Sequence, residues 1–556
     1  MKLHINKIIE RLVRLSFVSI LLLHSACDNF LEENPVSLAT ADSYYSTKDG
    51  IQDGLNGCYP YLRNYYGTEG IFFVTEIGTD INTNGYGGVK NHPSFDTYDQ
   101  NLNSTSNFFT TFWDSFYKGI NQCNTVVNRA PDVDGLSEEE KAQYAGEAKF
   151  LRANYYFLLV QMWGDVHFTL EETSGVETEA YRTPVETVYN EGILPDLEYA
   201  IAHLPDPVTN SVDFGRPNKA TAEALLARVQ LTLGNWSEAE QYANNVINNY
   251  NYSLVPLDEL WDYYNQDNAE IIWSVQYGTD PLVNGVGNQS HNYFVWDYTR
   301  NPAMERDLEN GRPYQRCMPT NYYLDIWNPE ADARYNASFK TVWIANKKGT
   351  INGNNVMPGD TAIKIVLYPV DDAIQQNAPY WYIDYNGEDV TNQSDKLQIG
   401  GDSRRNWPSF YKKYYDPARL DMNDNNGTRD FVAIRLAEMY LIAAEAAMNQ
   451  SENDMAAQMI TKLRKRAIIL GKEAEMAVTA NDIDLDFILE ERAKELGGEC
   501  HRWYDLKRTG TLLERVRLYN VDAAPNIQEY HLLRPIPQTQ IDRVSNPGDF
   551  PQNPGY

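Results

Sequence analysis

Apolar residues recur three and four places apart over several long stretches of this chain, the period of a helix with one buried face. Ser137-Glu138-Glu139-Glu140 has the form of a capped helix start, and the helix it opens runs through Ala148, Leu151, Tyr155 and Leu158 to Trp163-Gly164. Another helix begins at Thr183-Pro184, with Val188, Ile193 and Leu197 in its stripe. Pro195 inside it has no N–H to donate, which predicts a kink or break. Over residues 217–250 the pattern sharpens. Ala220, Ala224 and Ala227 share one face and are small enough for close helix approach. Gly234-Asn235 supplies a turn, and Trp236, Ala239, Ala243, Val246 and Tyr250 line a second helix. Helix, turn and helix in about 34 residues is the tetratricopeptide pattern. It recurs over residues 435–467, where Leu436, Met439, Ala443 and Ala446 line the first helix and Ala456, Ile460, Leu463 and Ala467 the second. The expectation is a mainly α scaffold of stacked helical hairpins.

Between the hairpins the periodicity fails. Residues 64–110 and 278–430 are rich in Asn, Gly, Asp, Tyr and Pro, with short apolar runs at 271–275 and 363–367 that read as strands. Ordered loops of this length serve recognition more often than they serve packing. The chain therefore reads as a helical scaffold carrying an irregular, aromatic-rich binding region with a few short strands.

The first residues follow a different rule. Lys2, Lys7, Arg11 and Arg14 form a basic start, residues 15–23 an apolar run, and Ser25-Ala26 a small pair before Cys27. The run is shorter than the roughly 20 residues that a spanning helix needs, so residues 1–26 read as a signal peptide. Cys27 is then the expected lipidation site, although His24 stands where the usual lipobox has Leu. Acyl chains on that sulfur would hold the protein to a membrane, each buried CH₂ contributing about 0.8 kcal/mol. The polar, acidic stretch after Cys27 suits a tether. The remainder is expected to divide into 27–270 and 271–556 within one integrated fold.

Charge narrows the partners. The full chain carries −30; its first 26 residues hold four basic side chains and one acidic, so the rest carries −33. Such a surface repels nucleic acid and suits neutral or weakly basic ligands. Cys58, Cys123, Cys317 and Cys500 are widely spaced, with no C-x-x-C pair, and are expected as free buried thiols. No cofactor is indicated. Asp421-Met-Asn423-Asp-Asn425 has the opening of a calcium loop, but Gly427 comes one place late and Val432 stands where a bidentate Glu is needed. Six His remain beyond the signal, in no metal-binding pair, and no H-E-x-x-H, G-x-S-x-G or P-loop motif occurs. With 77 acidic residues, the carboxylates alone do not exclude a glycoside hydrolase. A pure protein-binding scaffold is a further alternative.

Four stretches carry a resemblance. Glu147-Ala-Lys-Phe-Leu-Arg152 leads to Trp163-Gly164-Asp165-Val166; Arg435-Leu-Ala-Glu438-Met-Tyr440 leads to Glu445-Ala446; Ile488-Leu-Glu-Glu491-Arg492-Ala-Lys-Glu495-Leu496 leads to His501-Arg502-Trp503-Tyr504-Asp505-Leu506-Lys507-Arg508; and Leu533-Arg-Pro535-Ile536-Pro537 leads to Asn553-Pro554-Gly555-Tyr556. In this order, behind Cys27, they resemble the SusD/RagB family of Bacteroidetes outer-membrane lipoproteins. The resemblance implies a non-catalytic, cell-surface protein. It would capture oligosaccharide, or in some members peptide or glycoprotein glycan, and deliver it to a SusC-like TonB-dependent transporter. The acids and bases of the third stretch, at helical spacing, read as ion pairs locking helices together.

Sugar recognition needs aromatic faces flanked by amides and carboxylates. Two segments offer that mixture: Asp80, Asn82, Asn84 and Tyr86 in one, and Tyr293, Trp296 and Tyr298 in the other. Tyr293 and Trp296 are expected to stack on sugar, with Asp80 and Asn82 bonding hydroxyls.

Overall fold

The computed structural model describes residues 40–85, 92–208, 213–385, 387, 407 and 411–556. Its helical elements begin with α1 (Lys48–Asn56), α2 (Glu69–Thr75), α3 (Asn107–Arg129), α4 (Glu138–Trp163), α5 (Leu194–His203), α6 (Lys219–Leu233) and α7 (Trp236–Asn249). Far along the chain follow α8 (Leu436–Asn449), α9 (Asn453–Arg464), α10 (Leu485–Leu496), α11 (Arg502–Arg508) and α12 (Leu512–Tyr519). Each helix from α3 to α9 packs on the next, so α7 lies directly against α8 although some 190 residues separate them in sequence. The tetratricopeptide-like array is continuous in space while the chain leaves it and returns.

Local chemistry sets the helix ends. Ser137 and Glu140 form a reciprocal capping box at the start of α4, and Gly164 ends it at φ 72°. A single π-turn over Tyr189–Ile193 precedes α5, with the Leu194 N–H reaching back to the Tyr189 carbonyl. That widened turn is how the chain absorbs Pro195 without leaving the helical path. Ala220, Ala224 and Ala227 are fully buried where α6 meets its neighbours.

The strands are short: β1 (Asn82–Asn84), β2 (Ile271–Val275), β3 (Cys317–Pro319), β4 (Val342–Ile344), β5 (Gly349–Ile351), β6 (Asn354–Val356), β7 (Thr361–Val366), β8 (Trp381–Asp384) and β9 (Phe431–Arg435). β2 pairs antiparallel with β9, which runs directly into α8, so this ribbon joins the loop-rich part to the helical array. β4, β7 and β8 form a three-stranded sheet, β8 parallel to β7. One face of that sheet covers a second apolar core built on Trp296, Tyr298, Trp343, Ile363 and Ile365, apart from the main core of the helical array.

Glu491, Arg492, Glu495, Arg502 and Asp505 of the third signature stretch are interior. Arg435, at the end of β9, donates to Glu270 at 2.8 Å, to Glu495 of α10 at 2.7 Å and to Glu499 at 2.7 Å. Arg334 meets Asp332, Glu491 and Glu495, while Arg464 and Arg466 close the set from the end of α9. Arg492 bonds Asp505 at 2.8 Å, and Asp505 also holds Arg508. A buried charge without a partner costs several kcal/mol, which is why these groups come as a matched set. Cys58, Cys123, Cys317 and Cys500 are buried thiols outside any disulfide. No helix among the described residues is long and apolar enough to cross a membrane.

Candidate functional site

Backbone hydrogen bonds lace the two segments singled out in the sequence into one region. β1 runs antiparallel to β3, with Asn82 opposite Pro319 and Asn84 opposite Cys317. Just before β3, the Gln315 N–H donates to the Val295 carbonyl at 3.0 Å and the Arg316 N–H to that of Tyr293 at 2.9 Å. Residues 80–85 and 293–298 thus flank the same short strand.

Their side chains, however, face inward. Asp80 is fully buried and accepts from Arg502 at 2.7 and 2.6 Å and from Arg515 at 2.8 Å. Burial pushes its carboxyl up, but the two guanidiniums outweigh this and hold it below the ordinary value. Asn82 is buried and donates to Glu76 at 2.9 Å, and Asn84 is buried beside it. Tyr293 is 1% exposed, its hydroxyl given to Gln289. Trp296 is 3% exposed and meets Trp343 edge-on at 5.7 Å. Tyr298 stacks on Trp343 at 4.8 Å and donates to the Gly311 carbonyl at 2.6 Å. The expectation that Tyr293 and Trp296 present faces to sugar, while Asp80 and Asn82 bond its hydroxyls, is therefore corrected. The rings are walls of the interior and the polar groups are bonded to it. Tyr86 and Cys27 lie outside the described residues.

What the laced segments leave at the surface is an aromatic shelf made by their neighbours. His92 is exposed and Phe108, in the first turn of α3, is half-buried; their rings meet edge-on at 4.7 Å. Phe108 stacks on buried Phe73 at 5.8 Å, 15° from parallel. Gly70 makes this possible, since a Cβ there would stand 2.9 Å from Phe108 and 2.6 Å from Phe112. Half-buried Tyr314 completes the shelf. The guanidinium carbons of Arg312 and Arg316 sit 5.0 and 5.1 Å from its ring centre, and its hydroxyl donates to Asn425 at 3.2 Å. Arg316 is in turn ion-paired with Glu69 of α2. Partial burial lowers the His92 pKa, which favours the neutral imidazole, and the ring lies as an aromatic edge against Phe108.

Apolar ring faces beside guanidinium, carboxylate and amide groups can hold the CH faces and hydroxyls of a sugar together. No group of three or more His, Cys, Asp or Glu among the described residues is arranged to hold a metal ion. Glu69, His92, Phe108 and Tyr314 were missed in the sequence because loops carry no period that says which ring points outward. One signal was present. Arg312, Tyr314 and Arg316 alternate, the spacing that places three side chains on one face of an extended segment.

Comparison with known proteins gives consistent matches over the described length. A profile described as "SusD family" matches residues 270–556, and one described as "Starch-binding associating with outer membrane" matches residues 29–231. SusD-like protein P25 of Formosa agariphila is 26% identical, covering 96% of this chain and 97% of its own length. Among solved structures, a laminarin-binding SusD-like protein superimposes with a TM-score of 0.67 at 23% identity, over 92% of this chain and 100% of that one. Surface glycan-binding protein A from Bacteroides thetaiotaomicron, in complex with laminarihexaose, does so with 0.66 at 19% identity, over 91% and 99%. At such identities the structural likeness speaks for the fold.

Proposed function

The chain belongs to the SusD family, and from that premise we propose that it is a glycan-binding lipoprotein of the outer membrane, anchored through Cys27 and facing outward. It captures oligosaccharide and passes it to a SusC-like TonB-dependent transporter. The observation that carries the binding reading is the shelf of His92, Phe108 and Tyr314 around the Glu69–Arg316 pair. Support for the ligand class comes from relatives whose names record starch, laminarin and laminarihexaose. Binding rather than hydrolysis fits the same geometry. A glycosidase sets two carboxylates across a cleft, one poised as acid, whereas Glu69 is tied to Arg316.

The anchor gives weak binding a use. A tether beside a transporter raises the local concentration of captured ligand, so affinity need not be high for delivery. Residues 28–556, produced as a soluble protein, are expected to be retarded in gels containing a matching polysaccharide without releasing product. Release of reducing ends would overturn the binding reading, and binding of peptides alone would redirect it. Metabolic labelling with a fatty acid tests the anchor: a Cys27→Ala protein that still takes up label removes it.

A further inference from the structure

A cavity of about 810 Å³, lined by none of the shelf residues, opens between α1, α4 and the segments around Arg216 and Asn251. That volume lies within the range of small-ligand pockets. Its floor is fixed. Glu147 of α4 accepts from the Tyr59 hydroxyl and from Arg216, and Arg216 also donates to Asn56 of α1 at 2.5 Å. The same Arg216 wall borders a smaller cavity of about 220 Å³.

The lining has three features. Tyr144, Phe214 and Tyr252 line it as half-buried rings. Beside them, Gln143, Asn251 and Asn265 carry side-chain amides that make no hydrogen bond among the described residues. Such amides each offer donors and an acceptor, and with the rings they make the mixture that grips a polyol. The third feature selects. Glu147, Asp206, Asp213, Glu259 and Asp267 border the cavity, against the single cation Arg216. Glu147 is ion-paired with it, and Asp213 stands at 3.8 Å from it. A carboxylate or sulfate entering this space meets an excess of like charge among the described lining residues, and such juxtaposition is how a site rejects the wrong ligand.

We propose that this cavity is a second glycan site, taking an uncharged oligosaccharide and rejecting uronate-bearing or sulfated chains. The proposal rests on the reading of the protein as a glycan binder but not on the shelf. The aromatic walls hold the sugar faces, the three free amides bond hydroxyls, and the acidic rim sets the charge of what enters. With two sites lined by different residues, one chain segment can be retained while another is moved.

Calorimetry on residues 28–556 tests it, using laminarihexaose and maltohexaose as uncharged probes and hexagalacturonate as the anionic one, at low salt. Tyr314→Ala weakens the shelf. Ala269→Trp places a bulky ring at the cavity from an exposed position, and Gln143→Ala with Asn251→Ala removes two free amides without adding bulk. Binding of an uncharged probe that survives Tyr314→Ala and then falls about tenfold or more with either cavity change, in protein of unaltered thermal midpoint, is the expected result. Survival of that binding through both cavity changes overturns the proposal. So does loss of all binding in Tyr314→Ala, which would mean a single site, and so does hexagalacturonate binding that the cavity changes weaken equally. If the unaltered protein binds none of the uncharged probes, the glycan reading itself fails and the cavity proposal falls with it.

Discussion

Around Arg435 the interior is held by charge; around Trp343 it is held by rings. On the helical side, Glu270, Glu495 and Glu499 converge on one guanidinium, each group buried and each satisfied by its opposite. On the loop-rich side, Trp343 stacks on Tyr298, meets Trp296 edge-on, and lies under Lys340, whose ammonium stands 4.5 Å from its ring centre. Helices approach through small residues and leave room between them for long charged side chains, which then fix register. Loops and short strands offer no such regular contact, and only large flat side chains fill the irregular space beneath them. The two halves can therefore have similar stability and opposite sensitivities.

Removing the centre of each tests this with the largest effects. Arg435→Leu leaves three buried carboxylates short of a partner, and Trp343→Ala leaves a cavity; each is expected to cost about 3–5 kcal/mol in urea unfolding. The pH dependence separates them. Arg435 helps hold the Glu495 and Glu499 carboxyls low, and acidification protonates them once it is gone, so the Arg435→Leu penalty shrinks as pH falls while that of Trp343→Ala holds. Equal behaviour of the two would break the comparison.

Next in size is the acid limb of the unaltered protein. Burial pushes the Glu438 and Glu491 carboxyls up, but Arg228 beside the first and Arg334 and Arg464 beside the second hold both at about 2, from an ordinary 4.5. Groups lowered on folding stabilise above the unfolded value, and that contribution is lost as pH falls from about 4.5 towards 2. The denaturant midpoint should drop through that window. Glu76 acts in the opposite sense. Burial raises it to about 7 despite hydrogen bonds from Cys500, Gly498 and Asn82. Its ionisation opposes the fold, so stability declines as pH rises from about 4.5 through 7. Glu76→Gln should flatten that slope, with denaturant midpoints at pH 5 and 8 as the measurement.

Smaller effects sharpen the contrast between scaffold and site. Tyr314→Ala is expected to weaken binding to a matching glycan about tenfold, or 1.4 kcal/mol, with little change in thermal midpoint because the ring is half-exposed. Ser137→Ala removes half of the capping box of α4 and should cost about 1 kcal/mol without touching affinity. Calorimetry and urea unfolding together read both.

The helical hairpins were legible from spacing because a helix repeats its burial every 3.6 residues. Ala220, Ala224 and Ala227 announce a contact before the partner is known. The β2 and β7 strands were legible as apolar runs. The two segments rich in rings and amides were legible, but the direction of their side chains was not. Residues 80–84 and 293–298 flank one short strand, yet Asp80 and Trp296 serve the interior, because composition says which segments are rich in rings and amides but not which way each side chain turns. Phe108 reaches the surface through the absence of a side chain at Gly70, a condition visible only once the two residues are neighbours. The cavity beside α4 belongs to no motif; its amides come from three separate stretches of the chain.

The matched charges also govern when the protein can become itself. Asp80 waits for Arg502, which lies 422 residues further along, and Glu270 waits for Arg435, at a separation of 165. Contacts this remote make folding slow, and a half-assembled interior strands charges that water would otherwise solvate. The early segments have every reason to remain hydrated until the late ones arrive. A chain built this way closes its charged interior only after the segments around Arg435 and Arg502 have arrived.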